Sequence, residues 1–334
     1  MDNNNNNNNN NNGMKIGLRL PQTDEHRATK ENIIRHATEA ENVGFDSLWV
    51  LERLIWPMEP LNPYPGTSDG KFPADWQYIF EPLETLTYVA ANTENIALGT
   101  SVIDMLFQNP IILARRFATL DVLSKGRAIA GLGIGWSKDE YQASNIPFID
   151  RGKRADEYIQ ILKKIWTDDV VEFKGQFYNI PASKIGPKPI QKPNIPIYLG
   201  GYSQRTFARI ANYANGWICV IQNSLDQIKS YMYKLRNECY KAKRDPKDVH
   251  IAAILYPDVI EYRYNADDKE SNEKEVKSKQ RQLLSGTIDQ IGKDLQEIKE
   301  IGVDHVILNF NRSSISSNID NIINVSKQLS GFIT

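Results

Sequence analysis

The feature that most constrains the fold is a regular alternation along the whole chain. Short β-branched or apolar runs are each followed by a longer stretch with apolar residues at helical spacing. The predicted strands cover residues 16–20, 45–51, 96–102, 127–133, 196–200, 217–221, 250–257 and 303–310. The predicted helices cover residues 29–43, 82–92, 110–123, 153–167, 203–215, 225–242, 288–301 and 315–329.

Eight strand–helix units in succession indicate parallel strands joined by right-handed crossovers. A doubly wound open sheet is the competing α/β architecture. The count of eight favours a barrel, as does the lack of a GxGxxG motif opening a helix after the first strand. We therefore predict a single eightfold β/α (TIM) barrel over residues 14–334, with insertions after strands 2, 4 and 7 at residues 53–81, 170–195 and 258–286.

The termini and the composition narrow the class of protein. Residues 1–13, with ten consecutive asparagines, are interpreted as an added linker or tag. The 40 basic and 41 acidic residues give a net charge of −1, which predicts neither a nucleic-acid nor a membrane partner. Without a signal sequence or a long apolar run, a cytoplasmic protein is expected. The two cysteines and four histidines are scattered, so no metal site is predicted.

Chemistry-bearing residues gather at the predicted carboxyl ends of four strands, the face where barrel active sites lie. The four groups are Glu52 and Arg53; Ser101, Val102 and Asp104; Gly133, Ile134, Gly135 and Trp136; and Gly200, Gly201, Tyr202 and Ser203. In the last group, two glycines let the backbone approach a ligand, and a serine cap precedes a helix N-terminus that suits a phosphate. An ordinary glycine turn with a serine cap explains the same pattern.

The other three groups also have two interpretations each. The glycines of residues 131–136 either admit a flat ring or a phosphate, or allow close packing in the barrel. Glu52 and Arg53 are either site residues or part of an ion-pair network, and Asp104 is either a site residue or a loop cap.

Six stretches, taken together, resemble the luciferase-like oxidoreductase superfamily. They are GFDSLWVLERL (44–54), ALGTSVIDMLFQNPIILARRFATLDVLSKGR (97–127), GLGIGWSKDEYQA (131–143), RGKRADEYIQILKKIW (151–166) with KGQFYNIP (174–181), KPIQKPNIPIYLGGYS (188–203) and ANGW (214–217). The segment WPMEPLNPYPGTSDGKFP (56–73) resembles the branch that uses coenzyme F420, a 5-deazaflavin. Other branches use FMN, so FMN is the alternative cofactor.

The resemblance implies roles for particular residues. Ser101–Val102 matches a non-prolyl cis peptide that forms a bulge behind the central ring of the cofactor. Gly200, Gly201 and Ser203, with Tyr202 between them, match the turn that binds the phosphate of the cofactor side chain. Gly133, Ile134 and Gly135 match a stretch near the ring.

Two positions depart from the family pattern. Arg53 stands where related deazaflavin enzymes often have histidine, so a histidine base is absent there. Trp136 replaces the glutamate of the sugar-phosphate dehydrogenase branch, which argues against a sugar-phosphate substrate. We expect an apolar pocket walled by Trp56, Phe107 and Trp136.

The expected function is an F420-dependent oxidoreductase that transfers a hydride between the deazaflavin and a small organic substrate. Glu52, Arg53, Asp104 and Trp136 are the expected catalytic residues. Glu52 or Asp104 would donate a proton if burial raises its pKa, and Arg53 would orient an anionic substrate or the cofactor carbonyls. The alternatives are an FMN-dependent monooxygenase and a non-catalytic flavin-binding barrel. The resemblance also implies a homodimer.

Overall fold

The computed structural model describes residues 13–221, 224–260, 281–311, 313–316 and 318–333. Eight strands form the main sheet: β1 (Lys15–Arg19), β2 (Ser47–Val50), β3 (Ala97–Thr100), β5 (Ala128–Gly133), β8 (Ile197–Gly200), β9 (Gly216–Ile221), β10 (His250–Leu255) and β13 (His305–Leu308). The other described strands are β4 (Ile103–Asp104), which pairs with β5 in the same sheet, and β6 (Val171–Lys174), β7 (Asn179–Ser183), β11 (Asp258–Val259) and β12 (Ser285–Gly286).

Nine helices accompany these strands within the described ranges. They are α1 (Lys30–Asn42), α2 (Pro82–Ala90), α3 (Pro110–Leu123), α4 (Lys138–Ala143), α5 (Arg151–Thr167), α6 (Gln204–Tyr213), α7 (Leu225–Lys241), α8 (Ile288–Glu300) and α9 (Ile319–Ser330). Short 3₁₀ turns cover Ala74–Gln77, Met105–Phe107 and Pro246–Asp248. No described helix combines the length and apolar character needed to cross a membrane.

The sheet closes on itself. Around the ring the strands run β1-β2-β3-β5-β8-β9-β10-β13, and every neighbouring pair is parallel. The pairing of Leu98 in β3 with Ala128 in β5 completes the ring. The predicted β/α barrel is therefore confirmed, and the open doubly wound sheet is excluded.

Aromatic and β-branched side chains fill the lumen of the barrel. Trp49, Tyr198, Ile218, Ala252, Ile254 and Ile307 pack there as one buried cluster. Trp49 needs Gly17 beside it, because a Cβ at that position would lie 2.7 Å from Trp49 Nε1. The indole also donates to Ser47 Oγ at 2.7 Å, and Ser47 in turn contacts His305 Nε2 at 2.7 Å. These side chains fill the interior of the barrel, so a ligand site is expected at the carboxyl ends of the strands.

Three parts of the structure differ from the predicted elements or extend them. The third predicted strand is divided into β3 and β4, with a cis peptide between Ser101 and Val102. The short helix α4 was not predicted, because six residues are too few to show helical periodicity. The predicted segment 170–195 forms the antiparallel β6–β7 hairpin. The charged run at residues 267–279 lies outside the described residues.

Candidate functional site

A cleft of about 590 Å³ opens at the carboxyl ends of the barrel strands. Twelve of the thirteen predicted site residues line it: Glu52, Arg53, Ser101, Val102, Asp104, Gly133, Ile134, Gly135, Trp136, Gly200, Gly201 and Tyr202. The thirteenth, Ser203, does not line the cleft within the described part of the chain. Its hydroxyl accepts the Thr206 N–H at 3.1 Å and caps α6. The tertiary structure therefore brings the four predicted groups together.

The turn between β3 and β4 supplies an apolar surface inside the cleft. The Ser101–Val102 peptide is cis, as the resemblance implied. The Val102 side chain lies beside two glycines: an added Cβ would be 2.7 Å from it at Gly133 and 3.4 Å from it at Gly200. The glycines of β5 and β8 thus leave room for Val102.

Arg53 enters the cleft wall as half of a buried ion pair. Its Nε donates to Glu140 Oε1 at 2.6 Å, and its Nη2 donates to Glu140 Oε2. Arg53 Nη2 also lies 3.6 Å from Asp104 Oδ2. The guanidinium is centred 5.2 Å from the Trp136 ring and 5.6 Å from the Trp76 ring. Arg53 therefore both lines the cleft and belongs to a buried ion-pair network.

Glu140 is a residue that the sequence reasoning missed. It is fully buried, and it also accepts the Leu54 N–H at 2.8 Å. A signal was present, because Ser137 and Glu140 have the spacing of a helix-capping motif. Ser137 does cap α4, but the Glu140 carboxylate points to Arg53 instead of back to the cap.

Two carboxyl groups in the cleft have displaced pKa values. Burial raises the pKa of Glu52 from 4.5 to about 8, and the charge of Asp104 adds to the rise. Burial also raises the pKa of Asp104, to about 6, although the Arg53 guanidinium opposes that shift. The two groups are adjacent, since Glu52 Oε2 accepts the Asp104 N–H at 2.7 Å. Near neutral pH one carboxyl therefore holds a proton while its neighbour is mostly ionised.

The aromatic wall is only partly the one predicted. Trp136 lines the cleft together with Tyr64 and Trp76, and the centroid of the Tyr64 ring lies 5.3 Å from that of Trp136 and 5.0 Å from that of Trp76. Among the described residues, Trp56 and Phe107 do not line it. Trp56 Nε1 donates to the Pro73 carbonyl at 3.1 Å, and Phe107 packs edge-on against Tyr141.

Three tyrosines and one arginine also line the cleft, and of these the sequence analysis predicted only Tyr202. Tyr202, Tyr231 and Tyr256 line the cleft, and Tyr202 Oη accepts the Val220 N–H at 2.7 Å. Arg19, at the end of β1, lines the cleft although it is only 6% exposed. Because successive side chains of a strand face opposite sides, the alternation along residues 16–20 could have predicted that Arg19 faces the lumen. The sequence did not indicate that the cleft extends as far as Arg19.

The chain matches a family model described as luciferase-like monooxygenase over residues 14–259. It is similar to an uncharacterized protein of Mycobacterium tuberculosis, with 31% identity over 223 residues that cover 65% of this chain and 75% of the relative. It is also similar to the F420-dependent glucose-6-phosphate dehydrogenase of Amycolatopsis mediterranei, with 31% identity over 192 residues. That match spans 56% of this chain and about half of the enzyme, 53%.

Solved structures share the fold at low sequence identity. An F420-dependent secondary alcohol dehydrogenase in complex with an F420–acetone adduct has a TM-score of 0.73 and 18% identity, over 96% of this chain and 99% of that one. A monooxygenase from Streptomyces bottropensis has a TM-score of 0.72 and 18% identity, over 96% and 98% of the two chains. At these identities the likeness establishes the barrel fold alone.

Proposed function

Because this chain belongs to the luciferase-like monooxygenase family, we propose that it is an oxidoreductase dependent on coenzyme F420. In this proposal, the enzyme transfers a hydride between the deazaflavin and a small organic substrate. The observation that carries the proposal is the placement of Val102 and of the Gly200–Gly201 turn on one cleft. Relatives that are themselves named as F420-dependent enzymes support the choice of cofactor.

The cleft has the properties that a flat ring with a phosphate-bearing tail requires. Its volume of about 590 Å³ lies within the usual range for cofactor sites. Val102 offers an apolar surface for one face of the ring. Gly201 adopts a φ of 121°, which brings bare backbone to the wall, and the N-terminus of the ten-residue helix α6 follows at once. Such a helix start favours an anionic group.

F420, when bound, supplies the hydride chemistry; this chain supplies position, water exclusion and a proton. Val102 supports one ring face and leaves the other face for substrate. Glu52 is protonated at neutral pH because of its raised pKa, so it can hold a proton at the wall of the cleft. Tyr64, Trp76 and Trp136 keep that part of the cleft apolar.

We propose a supporting role for Arg53 in place of direct substrate binding. Glu140 accepts hydrogen bonds from both donor groups on one edge of the Arg53 guanidinium. The positive charge of Arg53 also acts on Asp104, 3.6 Å away. The arginine thereby favours the ionised form of Asp104 and secures the start of the segment that carries Tyr64 and Trp76.

Titration of the purified protein with F420 and, separately, with FMN tests the proposal. We expect quenching of F420 fluorescence with micromolar affinity and much weaker binding of FMN. Binding of FMN without binding of F420 would contradict the proposal and favour the monooxygenase alternative. Redox turnover that is unchanged when Glu52, Arg53 and Asp104 are each replaced by alanine would contradict the assigned roles. F420 binding without any redox turnover would favour a non-catalytic barrel.

We also propose that the protein forms a homodimer, as the family resemblance implies. Light scattering coupled to size-exclusion chromatography checks this directly. A mass near twice the 38.1 kDa of one chain is expected, and a mass equal to one chain would contradict it.

A further inference from the structure

Gln108 bridges the cleft carboxyl Glu52 and the helix α3 residue Arg116. The Gln108 Nε2 group donates to Glu52 Oε1 at 2.9 Å. The Gln108 Oε1 atom accepts from Arg116 Nη1 at 2.8 Å. Its backbone is held as well, because the Tyr158 hydroxyl donates to the Gln108 carbonyl at 3.2 Å. Gln108 follows the 3₁₀ turn Met105–Phe107.

The two side-chain bonds specify which way the Gln108 amide faces. A guanidinium has only donors, so the amide oxygen must face Arg116. The amide nitrogen is then directed at Glu52, where it meets an acceptor. A flipped amide would set donor against donor at Arg116. Arg116 therefore determines that a hydrogen-bond donor is presented to Glu52.

Glu52 is held at both of its oxygens. Oε1 accepts from Gln108 and Oε2 accepts the Asp104 N–H. Two fixed donors define the plane of the carboxyl group and use one acceptor position on each oxygen. Because Glu52 lines the cleft, its remaining acceptor positions are where a proton can sit beside a bound ligand.

The same line of contacts continues to the outside of the barrel. Arg116 Nη2 donates to both carboxylate oxygens of Glu84, at 2.6 and 2.7 Å. The Arg116 side chain is 27% exposed and that of Glu84 62% exposed, and both lie in a groove between α2 and α3. A continuous polar path thus joins the cleft to the outer helical layer through Gln108.

We propose that Gln108 is a positioning residue that fixes the Glu52 carboxyl, and that Arg116 sets its orientation from the outer face of the barrel. This inference deepens the proposed function, on which it rests, because Glu52 is the group proposed to hold the proton. Through the same contacts, a change in charge at the outer α2–α3 groove would alter the hydrogen bonding of Glu52 in the cleft.

The charged and hydrogen-bonding groups around Glu52 determine whether loss of the Gln108 donor raises or lowers the pKa of Glu52. Asp104 and Glu81 raise the pKa of Glu52 by like-charge repulsion, after the larger effect of burial. The charge of Glu52 in turn contributes to the raised pKa of the Tyr158 hydroxyl, after the larger effects of burial and of Tyr178. The Gln108 bond acts in the opposite direction, because a donor stabilises the ionised carboxylate. Loss of that donor therefore raises the pKa of Glu52 further.

The experiment is a pH titration of the ligand-free protein labelled with ¹³C at the glutamate side-chain carboxyls and followed by NMR. Glu52→Gln identifies the Glu52 signal by its loss. Gln108→Leu should raise the pKa of Glu52 by on the order of one pH unit. Arg116→Met should raise it by less, because the amide donor remains but is no longer oriented. Arg115→Met is the matched control, since Arg115 lines the same groove but donates to the Gly186 carbonyl; it should leave the pKa unchanged.

An unchanged pKa of Glu52 in Gln108→Leu would overturn the proposal, as would equal shifts in the two arginine variants. If Gln108→Leu does not fold, Gln108→Met, which keeps a side chain of similar length, replaces it with the same expectation. The titration needs no cofactor, so failure of F420 binding would overturn the proposed function and leave the positioning result standing.

Discussion

Arg53 and Glu140 form a buried two-point ion pair that fastens the loop after β2 to helix α4. The Arg53 side chain is 4% exposed and that of Glu140 1% exposed, so neither charge is solvated by bulk water. Glu140 also accepts the Leu54 N–H, which ties the backbone of the loop to the same carboxylate. The pair therefore supports the start of the segment that carries part of the aromatic wall.

Glu140→Gln should destabilise the protein by about 3 kcal/mol or more, because it removes the two-point carboxylate partner of the buried Arg53 charge and leaves only the longer 3.6 Å contact with Asp104. The free energy of unfolding in urea measures the loss. Asp139→Asn is the control, since the neighbouring carboxylate accepts an N–H from the exposed residue Leu61. The control should cost roughly 0.5 kcal/mol or less. Equal losses in the two variants would contradict the importance given to the buried pair.

The raised pKa of Glu52 predicts a pH dependence of stability. The folded state holds a proton on Glu52 up to about pH 8, whereas the unfolded chain releases it near pH 4.5. Between these values the folded state binds more protons, so this contribution is complete below pH 4.5 and declines as pH rises towards 8. Its slope reaches at most about 1.4 kcal/mol per pH unit.

Glu52→Gln should remove that decline. Unfolding free energies of both proteins at pH 5, 6, 7 and 8 provide the test, and the difference between them is compared across pH. The difference should move in favour of the glutamine variant as pH rises. A difference that is constant with pH would show that Glu52 titrates alike in the folded and unfolded states.

Gly201→Ala should weaken F420 binding by about tenfold or more. Gly201 has a φ of 121°, where a side chain is strained, and its Cβ would also lie 3.2 Å from Thr206 at the start of α6. Gly44→Ala is the matched control, because Gly44 has a φ of 87° but open space around it and lies away from the cleft. Both variants should lose about 1 kcal/mol of stability. Only Gly201→Ala should change the fluorescence titration, and an equal loss of binding in Gly44→Ala would refute the assignment.

Arg127→Lys should lower stability by about 2 kcal/mol or more while leaving F420 binding unchanged. The Arg127 guanidinium donates to four backbone carbonyls, of Ala90, Thr93, Ile96 and Ser124, at 2.8 to 2.9 Å. A lysine ammonium cannot reproduce that planar set of donors. Thermal unfolding and the F420 titration measure the two effects, and a parallel loss of binding would contradict the separation of this network from the cleft.

The positions of the predicted site residues were predictable because they follow strands. Glu52, Val102, Gly135 and Gly201 each come just after an apolar run, and parallel strands place all such ends on one face. Reading the strand ends was therefore enough to place twelve of the thirteen predicted site residues on the cleft.

The aromatic wall was not predictable in the same way. Trp56 and Trp76 both lie in the long insertion after β2, which has no period that could indicate which side chain turns inward. The path of that segment depends on contacts such as the Arg53–Glu140 pair and the edge-on packing of Tyr64 against Trp76. The choice of Trp56 was consequently wrong, and Gln108, which acts through a single amide, carried no pattern at all.

The sequence by itself determined the barrel, its eight strands and the face on which a site would lie. Those properties follow from the periodicity of apolar residues and from the geometry of parallel strands, and both are local. The tertiary structure alone decided how the polar groups pair: Arg53 with Glu140, Glu52 with Asp104 and Gln108. Burial and hydrogen-bond partners come from segments distant in the chain, so pKa values near neutrality arise only once those segments meet.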